Sequence, residues 1–219
     1  MRLERLGVVL AVAACAIALG GCQIAEIAGA MLSSAEREGN KEVKGQYGGL
    51  AGKSYAVIVA ADRSIQADFP ELIPRLSEQI SMRLAGNVGA SAFVPPAAVL
   101  EYQYSHPRWV TMTRGQLAEA LGVERLVYVD MAAYRLNDPG NQYLWNGGAA
   151  GTVSVCEVES AFPDEPAFQS QVKVAFPDKK AMGPTDISRI AVHSELSKRF
   201  AERTAWLFYK HEEPNKITY

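Results

Sequence analysis

Residues 55–61 read Tyr-Ala-Val-Ile-Val-Ala-Ala. A strand built from so apolar a run has no wet side. It must be covered on both faces, as strands are in a parallel sheet flanked by helices. The next apolar residues agree with this. Leu72, Leu76, Ile80 and Leu84 recur every four positions, with Ile73 beside them, and make one face of a helix. Its start is set either by Asp68 with Glu71, in capping-box fashion, or near Pro74, and Gly86-Asn87 end it. Residues 62–68 between strand and helix read as a polar turn.

The rest of the chain continues the alternation. Ala92-Phe93-Val94 is a short strand, and Pro95-Pro96 opens a helical turn through Leu100. Thr113 with Gln116 forms a capping box for a short helix containing Leu117, Ala120 and Leu121, which Gly122 stops. Residues 126–136 are a second strong strand, and Asn137-Asp138-Pro139-Gly140 a turn. Residues 152–158 and 168–176 form an antiparallel pair. In the second, Val172, Val174 and Phe176 alternate with Gln171, Lys173 and Ala175, so one face is buried. A helix over 186–210, with Thr185 as N-cap, carries Ile187, Ile190, Ala191, Ala201, Ala205 and Phe208 on one arc, widened by Leu196, Phe200 and Leu207. Glu195, Arg199, Glu202 and Arg203 lie opposite. The expected fold is α/β: a single domain with a mixed, mostly parallel sheet, a C-terminal antiparallel hairpin, and packed helices including a long C-terminal one. There is no internal repeat.

The N-terminus carries the sharpest chemical signal. Arg2, Glu4 and Arg5 precede an apolar run over 6–19, too short for a spanning helix, and Leu19-Gly20-Gly21-Cys22 closes it. This resembles the bacterial lipobox. The resemblance implies removal of residues 1–21 and a lipid on Cys22, which becomes a membrane anchor. Gln23 stands where an Asp would retain a lipoprotein in the inner membrane, so the expected site is the outer membrane, facing the periplasm. Residues 22–53 are polar and Gly-rich toward their end and read as a flexible tether. The α/β domain is expected over 54–212, with 213–219 as a tail.

The formal net charge of −2 becomes −3 once Arg2, Glu4 and Arg5 are lost, and no basic block stands out, which argues against nucleic acid as a partner. With Cys15 removed and Cys22 acylated, Cys156 is the one free thiol and an intramolecular disulfide is impossible. Stability then rests on an apolar core.

The order of lipobox, tether, Tyr-Ala-Val-Ile-Val strand and helix, followed by Ala120-Leu121-Gly122-Val123-Glu124-Arg125-Leu126-Val127 running into a long strand, resembles a group of periplasmic α/β lipoproteins. They are of the type of LpoB, the periplasmic domain of CsgG and the N-terminal domain of TolB. The match covers roughly residues 50–176. Asp130 stands where that strand usually carries Gly, and Pro163-Asp164-Glu165-Pro166 replaces the usual meander turn. The resemblance implies a non-catalytic domain that binds other envelope proteins.

No motif establishes an activity. Gly48 to Ser54 imitates a phosphate loop, but Tyr47 occupies the position of its first Gly and the segment precedes a strand instead of following one. It reads as linker. His106, His193 and His211 lack metal-ligand spacing, Cys156 lacks a catalytic partner, and no cofactor or metal is expected. Asp62 and Asp130 fall near the ends or middle of strands and could form a carboxylate pair, the basis of an alternative reading as a hydrolase or small-ligand receptor. An oligomeric secretion component would need long amphipathic strands, which are not found. Three aromatic groups remain as candidate partner-binding residues: Tyr102, Tyr104 and Trp109; Tyr143 and Trp145; and Trp206 on the charged side of the last helix. The leading expectation is an accessory protein, anchored through Cys22, that binds another envelope protein.

Overall fold

A computed structural model describes residues 40–179 and 181–214; Cys22, the expected lipid attachment point, and the first part of the expected tether lie outside the described residues. The described residues fall into two units, an α/β body over 43–211 and a small unit formed at the chain ends. In the latter, strands β1 (Asn40–Val43) and β7 (His211–Pro214) pair as a two-stranded sheet.

The body is built on a five-stranded sheet of order β3-β2-β4-β5-β6. Strand β2 is Ser54–Ala61, β3 Ala92–Phe93, β4 Arg125–Arg135, β5 Gly147–Glu157 and β6 Phe168–Phe176. Strand β2 runs parallel to both neighbours, and β4-β5-β6 is an antiparallel meander. The fold is thus the expected α/β type with a mixed sheet. Helices α1 (Arg63–Asp68), α2 (Leu72–Asn87), α3 (Pro96–Ser105), α4 (Arg114–Leu121) and α5 (Arg189–Trp206) surround it, with a 3-10 turn at Pro107–Thr111.

Both faces of β2 are buried, as its composition requires. Val57 and Val59 join a large core with α2 and α5, where Leu72, Leu76, Ile80 and Leu84 are fully enclosed. Ala56 and Ile58 join a smaller one with Val99, Leu117 and Leu126 under α3 and α4. The capping box of α4 is complete, with the Gln116 amide donating to Thr113 Oγ1 and the Thr113 amide to Gln116 Oε1, and Gly122 caps its end at φ +67°. Pro74 sits in the first turn of α2, where its missing N–H costs nothing.

Several expectations are corrected. The polar turn at 62–68 contains helix α1, nucleated by Asp62, whose Oδ1 accepts from the amide of Ile65 at 2.9 Å. The tether does not extend to residue 53: the segment before β2 is folded from residue 43, with Leu50 buried and the amides of Gln46 and Tyr47 donating to Leu207 O. The last helix begins at Arg189 behind Ser188, not Thr185, because the Ser188 hydroxyl accepts from the Ala191 amide. Strand β5 starts five residues early, at Gly147. Its Gly-Ala run lets α5 approach: a Cβ at Gly151 would sit 2.7 Å from Asp130 O and 3.1 Å from the Phe200 ring.

The strand register gives the body two distinct ends. Ser54, Arg125, Glu157 and Phe168 lie at one, the base, where residues 43–53 come in. The loop between β4 and β5 and the segment between β6 and α5 lie at the other, the tip. The eleven residues of β4 separate the two by roughly 33 Å.

Candidate interaction surfaces

At the tip, Asn141 organises the β4–β5 loop. Its Oδ1 accepts from the amides of Tyr143 at 3.0 Å and Leu144 at 3.3 Å, and Asn137 Nδ2 donates to Leu144 O at 2.8 Å. Trp145 then turns inward. Its indole N–H donates to Ile187 O at 2.8 Å and its amide to Met182 O at 2.7 Å, tying this loop to the segment before α5. Trp145 is 8% exposed and belongs to the core, so it is withdrawn from the partner-binding candidates. Tyr143 points the other way and is 75% exposed; Leu144 beside it is exposed too.

Ile190, in the first turn of α5, is 80% exposed. It shares an arc with the buried Ser197 and Ala201, seven and eleven residues on, so its angular assignment holds. It is exposed because α5 starts beyond the sheet. Leu196 already lies against Gly147 in the last strand pair, and Ile190 is about 9 Å further out. Tyr143 and Leu144, on a loop fixed by hydrogen bonds, and Ile190, in the first turn of α5, therefore present apolar surface at one end of the body. Sequence reasoning missed Leu144 and Ile190 as surface residues; the signal for Ile190 was the cap at Ser188.

The other aromatic candidates fall elsewhere. On α3 and the turn after it, Tyr104 is 90% exposed and Val110 is exposed, whereas Tyr102 and Trp109 pack on the smaller core. The Tyr102 ring stacks on His106 at 4.5 Å and its hydroxyl donates to Met112 Sδ at 3.5 Å. Trp206 is half-buried: His211 stacks on it at 4.6 Å, and Arg203 lies over the same ring at 4.8 Å. The three groups form separate patches.

Asp62 and Asp130 serve separate structural ends. Asp62 is spent on capping α1. The hydroxyl of Ser64 and then the amide of Ile65 hold its carboxyl below the usual range, which disfavours service as a base. Asp130 lies on the exposed side of β4, in register with Ala60 and Thr152. A groove of about 350 Å³ opens instead at the base, lined by Lys53, Glu119, Gly122, Val123, Glu124, Val158 and Glu159. Three of its four charged groups, Lys53, Glu124 and Glu159, are already paired. Lys53 Nζ reaches Glu124 at 2.9 Å and Glu159 at 3.2 Å, while Glu124 Oε2 also accepts from the Ser54 amide. The adjacent Arg125 is buried, bonded to Glu159 at 2.5 Å, Gly49 O at 3.2 Å and Glu124 O at 2.9 Å, and Tyr47 donates to Glu157 at 2.6 Å. Arg125 holds Glu159 at about 2. The arrangement fastens residues 47–53 to the sheet, which corrects their reading as linker. Among the described residues no cluster could hold a metal ion, and no helix is long and apolar enough to cross a membrane.

No family model matches the sequence, and no curated protein does. Solved structures with some similarity include the PelC dodecamer from Paraburkholderia phytofirmans, 12% identical over 79% of this chain and 99% of that one, with a TM-score of 0.45. Lipoprotein GNA1162 from Neisseria meningitidis is 11% identical over 66% of this chain and 92% of its own, with a TM-score of 0.44. The LpoB C-terminal domain from Salmonella enterica is 16% identical over 57% of this chain and 83% of its own, with a TM-score of 0.36.

Proposed function

We propose that this chain is a lipoprotein, anchored through Cys22 in the outer membrane and facing the periplasm, that binds another envelope protein without catalysis. The observation that carries the reading is the tip. Tyr143 and Leu144 are exposed on a loop held by Asn137, Asn141 and Trp145, and Ile190 is exposed in the first turn of α5, all at the opposite end of the body from residues 43–53. Aromatic and aliphatic anchors on a pre-ordered loop bind with little loss of conformational freedom. Leu19-Gly20-Gly21-Cys22 supports the anchor, and anchoring raises the effective concentration of such a surface at the membrane.

The test is chemical crosslinking and pulldown from envelopes with wild type and a Tyr143→Ser/Ile190→Ser variant. The expected result is an envelope protein captured by wild type and lost from the variant. Equal capture by both would move the binding surface away from the tip, and no capture by either would count against a binding role. Palmitate labelling of wild type and Cys22→Ser tests the anchor; equal labelling would remove it.

A further inference from the structure

Two arginines near the tip stand without a counter-charge. Arg83, Arg125, Arg135 and Arg199 each pair with a carboxylate. Arg75, in the first turn of α2, and Arg189, the first residue of α5, have none within ion-pair distance among the described residues. Both helices start at the tip. Helix α2 returns from the tip end of β2 toward β3, and α5 runs from beside Ile187 to Leu207 at the base. The Arg83–Glu202 pair at 2.9 Å fixes their register. Eight residues back along each, about 12 Å nearer the tip, Arg75 comes level with Ser194, next to His193 and one turn from Ile190.

Arg189 and His193 are four residues apart and share a face of α5. Both meet the half-buried ring of Phe69. Arg189 Cζ lies 5.6 Å from its centre, and the His193 ring stacks on it at 5.5 Å, 7° from parallel. Tyr134 packs edge-on against both rings, and its hydroxyl is 2.8 Å from His193 Nδ1. Burial and then Arg75 and Arg189 hold the His193 pKa below its ordinary value, while Glu71 works against them. The two guanidiniums thus act on one spot, with a single carboxylate opposing them. A guanidinium lying on an aromatic ring keeps its donor fork in place and loses little freedom on meeting a carboxylate.

We infer that the tip takes an acidic segment of its protein partner, whose carboxylates meet Arg75 and Arg189 beside His193 while a neighbouring apolar side chain covers Ile190. This deepens the reading of the tip as a binding surface and rests on it. The argument is charge complementarity joined to apolar area. An anion relieves the repulsion between the guanidiniums. A lone small anion on exposed arginines is held weakly, whereas a peptide also buries Ile190, which is 80% exposed.

The test is an NMR titration of the full chain in detergent micelles, read at the Ile190 methyl and the His193 ring. The probes are the end-blocked peptide Gly-Leu-Leu-Glu-Glu-Gly, its counterparts with both Glu replaced by Gln or by Lys, and inorganic phosphate. The acidic peptide should shift both signals, and the Gln peptide should bind roughly five- to tenfold more weakly. The Lys peptide should be weaker still. Arg75→Gln/Arg189→Gln should abolish the preference for Glu over Gln. Glu71→Gln should increase it, and gives a second reading should the double variant be poorly folded. Equal binding of the Glu and Gln peptides to wild type overturns the inference, as does an acidic peptide that shifts neither signal. So does an unchanged preference in the double arginine variant, or phosphate binding as tightly as the acidic peptide, which would assign a small-anion site. The titration contains no envelope protein, so it can fail while capture through Tyr143 and Ile190 stands, and the two failures are told apart.

Discussion

Replacing Arg125 with Met tests whether the base holds residues 47–53 on the body. The methionine keeps the stem of a side chain that is only 6% exposed. It removes the bonds to Gly49 O and Glu124 O and the pairs with Glu159 and Glu157. Glu159 is half-exposed, so water screens that pair and its loss costs ~1 kcal/mol or less. The two carbonyls lose a charged donor at ~1 kcal/mol each, and relief of the buried guanidinium's desolvation returns part of this. The net is about 2 kcal/mol. For a domain of this size that lowers Tm by roughly 4–8 °C, with an unchanged urea m-value. The pH profile gives a second check. In the folded protein Glu159 titrates at about 2, below its ordinary 4.5, so its contribution is complete above 4.5 and is lost as pH falls toward 2. The variant should lose stability less steeply across that window. A Tm within about 1 °C of wild type would refute the role given to Arg125.

Three further outcomes are expected. Gly151→Val should destabilise the body by about 2–3 kcal/mol in urea unfolding, since the new Cβ meets Asp130 O and Phe200, whereas Gly148→Ala, with its nearest neighbour 4.0 Å away, should be nearly neutral. Trp145→Phe should cost roughly 1–2 kcal/mol through the lost bond to Ile187 O, while Tyr143→Ser should leave Tm within about 1 °C. His193, stacked on Phe69 and bonded to Tyr134 at 2.8 Å, has its pKa lowered by burial and then by Arg75 and Arg189. Folding therefore disfavours its charged form, so stability should be full above about 6.5 and fall as pH drops below that value. His193→Gln should flatten this slope, and a ring titration by NMR centred at or above 6.5 would contradict it.

The sequence was most legible where one residue type repeats at a fixed period. The run at 55–61 is β2 to within one residue, and all four leucine and isoleucine positions of α2 are fully buried. It was least legible where order comes from contacts distant in the chain. Residues 43–53 look like linker because their one core residue, Leu50, has no periodic companion, and Lys53 finds its carboxylates only once β4 and β5 are in place. The Gly-Ala start of β5 has low strand propensity, yet the close approach of Phe200 requires small residues there. Helix α1 carries a single buried residue, Ile65, too little to show a period. The aromatic candidates divide between core and surface for a related reason. Tyr143 and Trp145 sit two residues apart in one loop, and only the hydrogen bonds to Asn141 and Ile187 decide which ring is wet.

That division between base and tip bears on why a domain of this kind would be both rigid and anchored. Helix α5 connects the two ends of the body: just before it Ile187 O accepts from Trp145 at the tip, and just after it Leu207 O accepts from Gln46 and Tyr47 at the base. The two ends thus share a single packed element, whose Leu196, Phe200 and Ala201 are fully buried. At the base, charged groups satisfy one another and leave little to offer a ligand. At the tip, the side chains of Tyr143, Leu144 and Ile190 stand exposed among the described residues. The seventeen residues between Cys22 and Asn40 can span at most about 60 Å. The surface with unmet apolar area is at the end of the body away from the point where the chain enters it at residue 43. The same geometry explains why variants at Arg125 and at Tyr143 should separate cleanly, the first lowering stability and the second lowering capture alone.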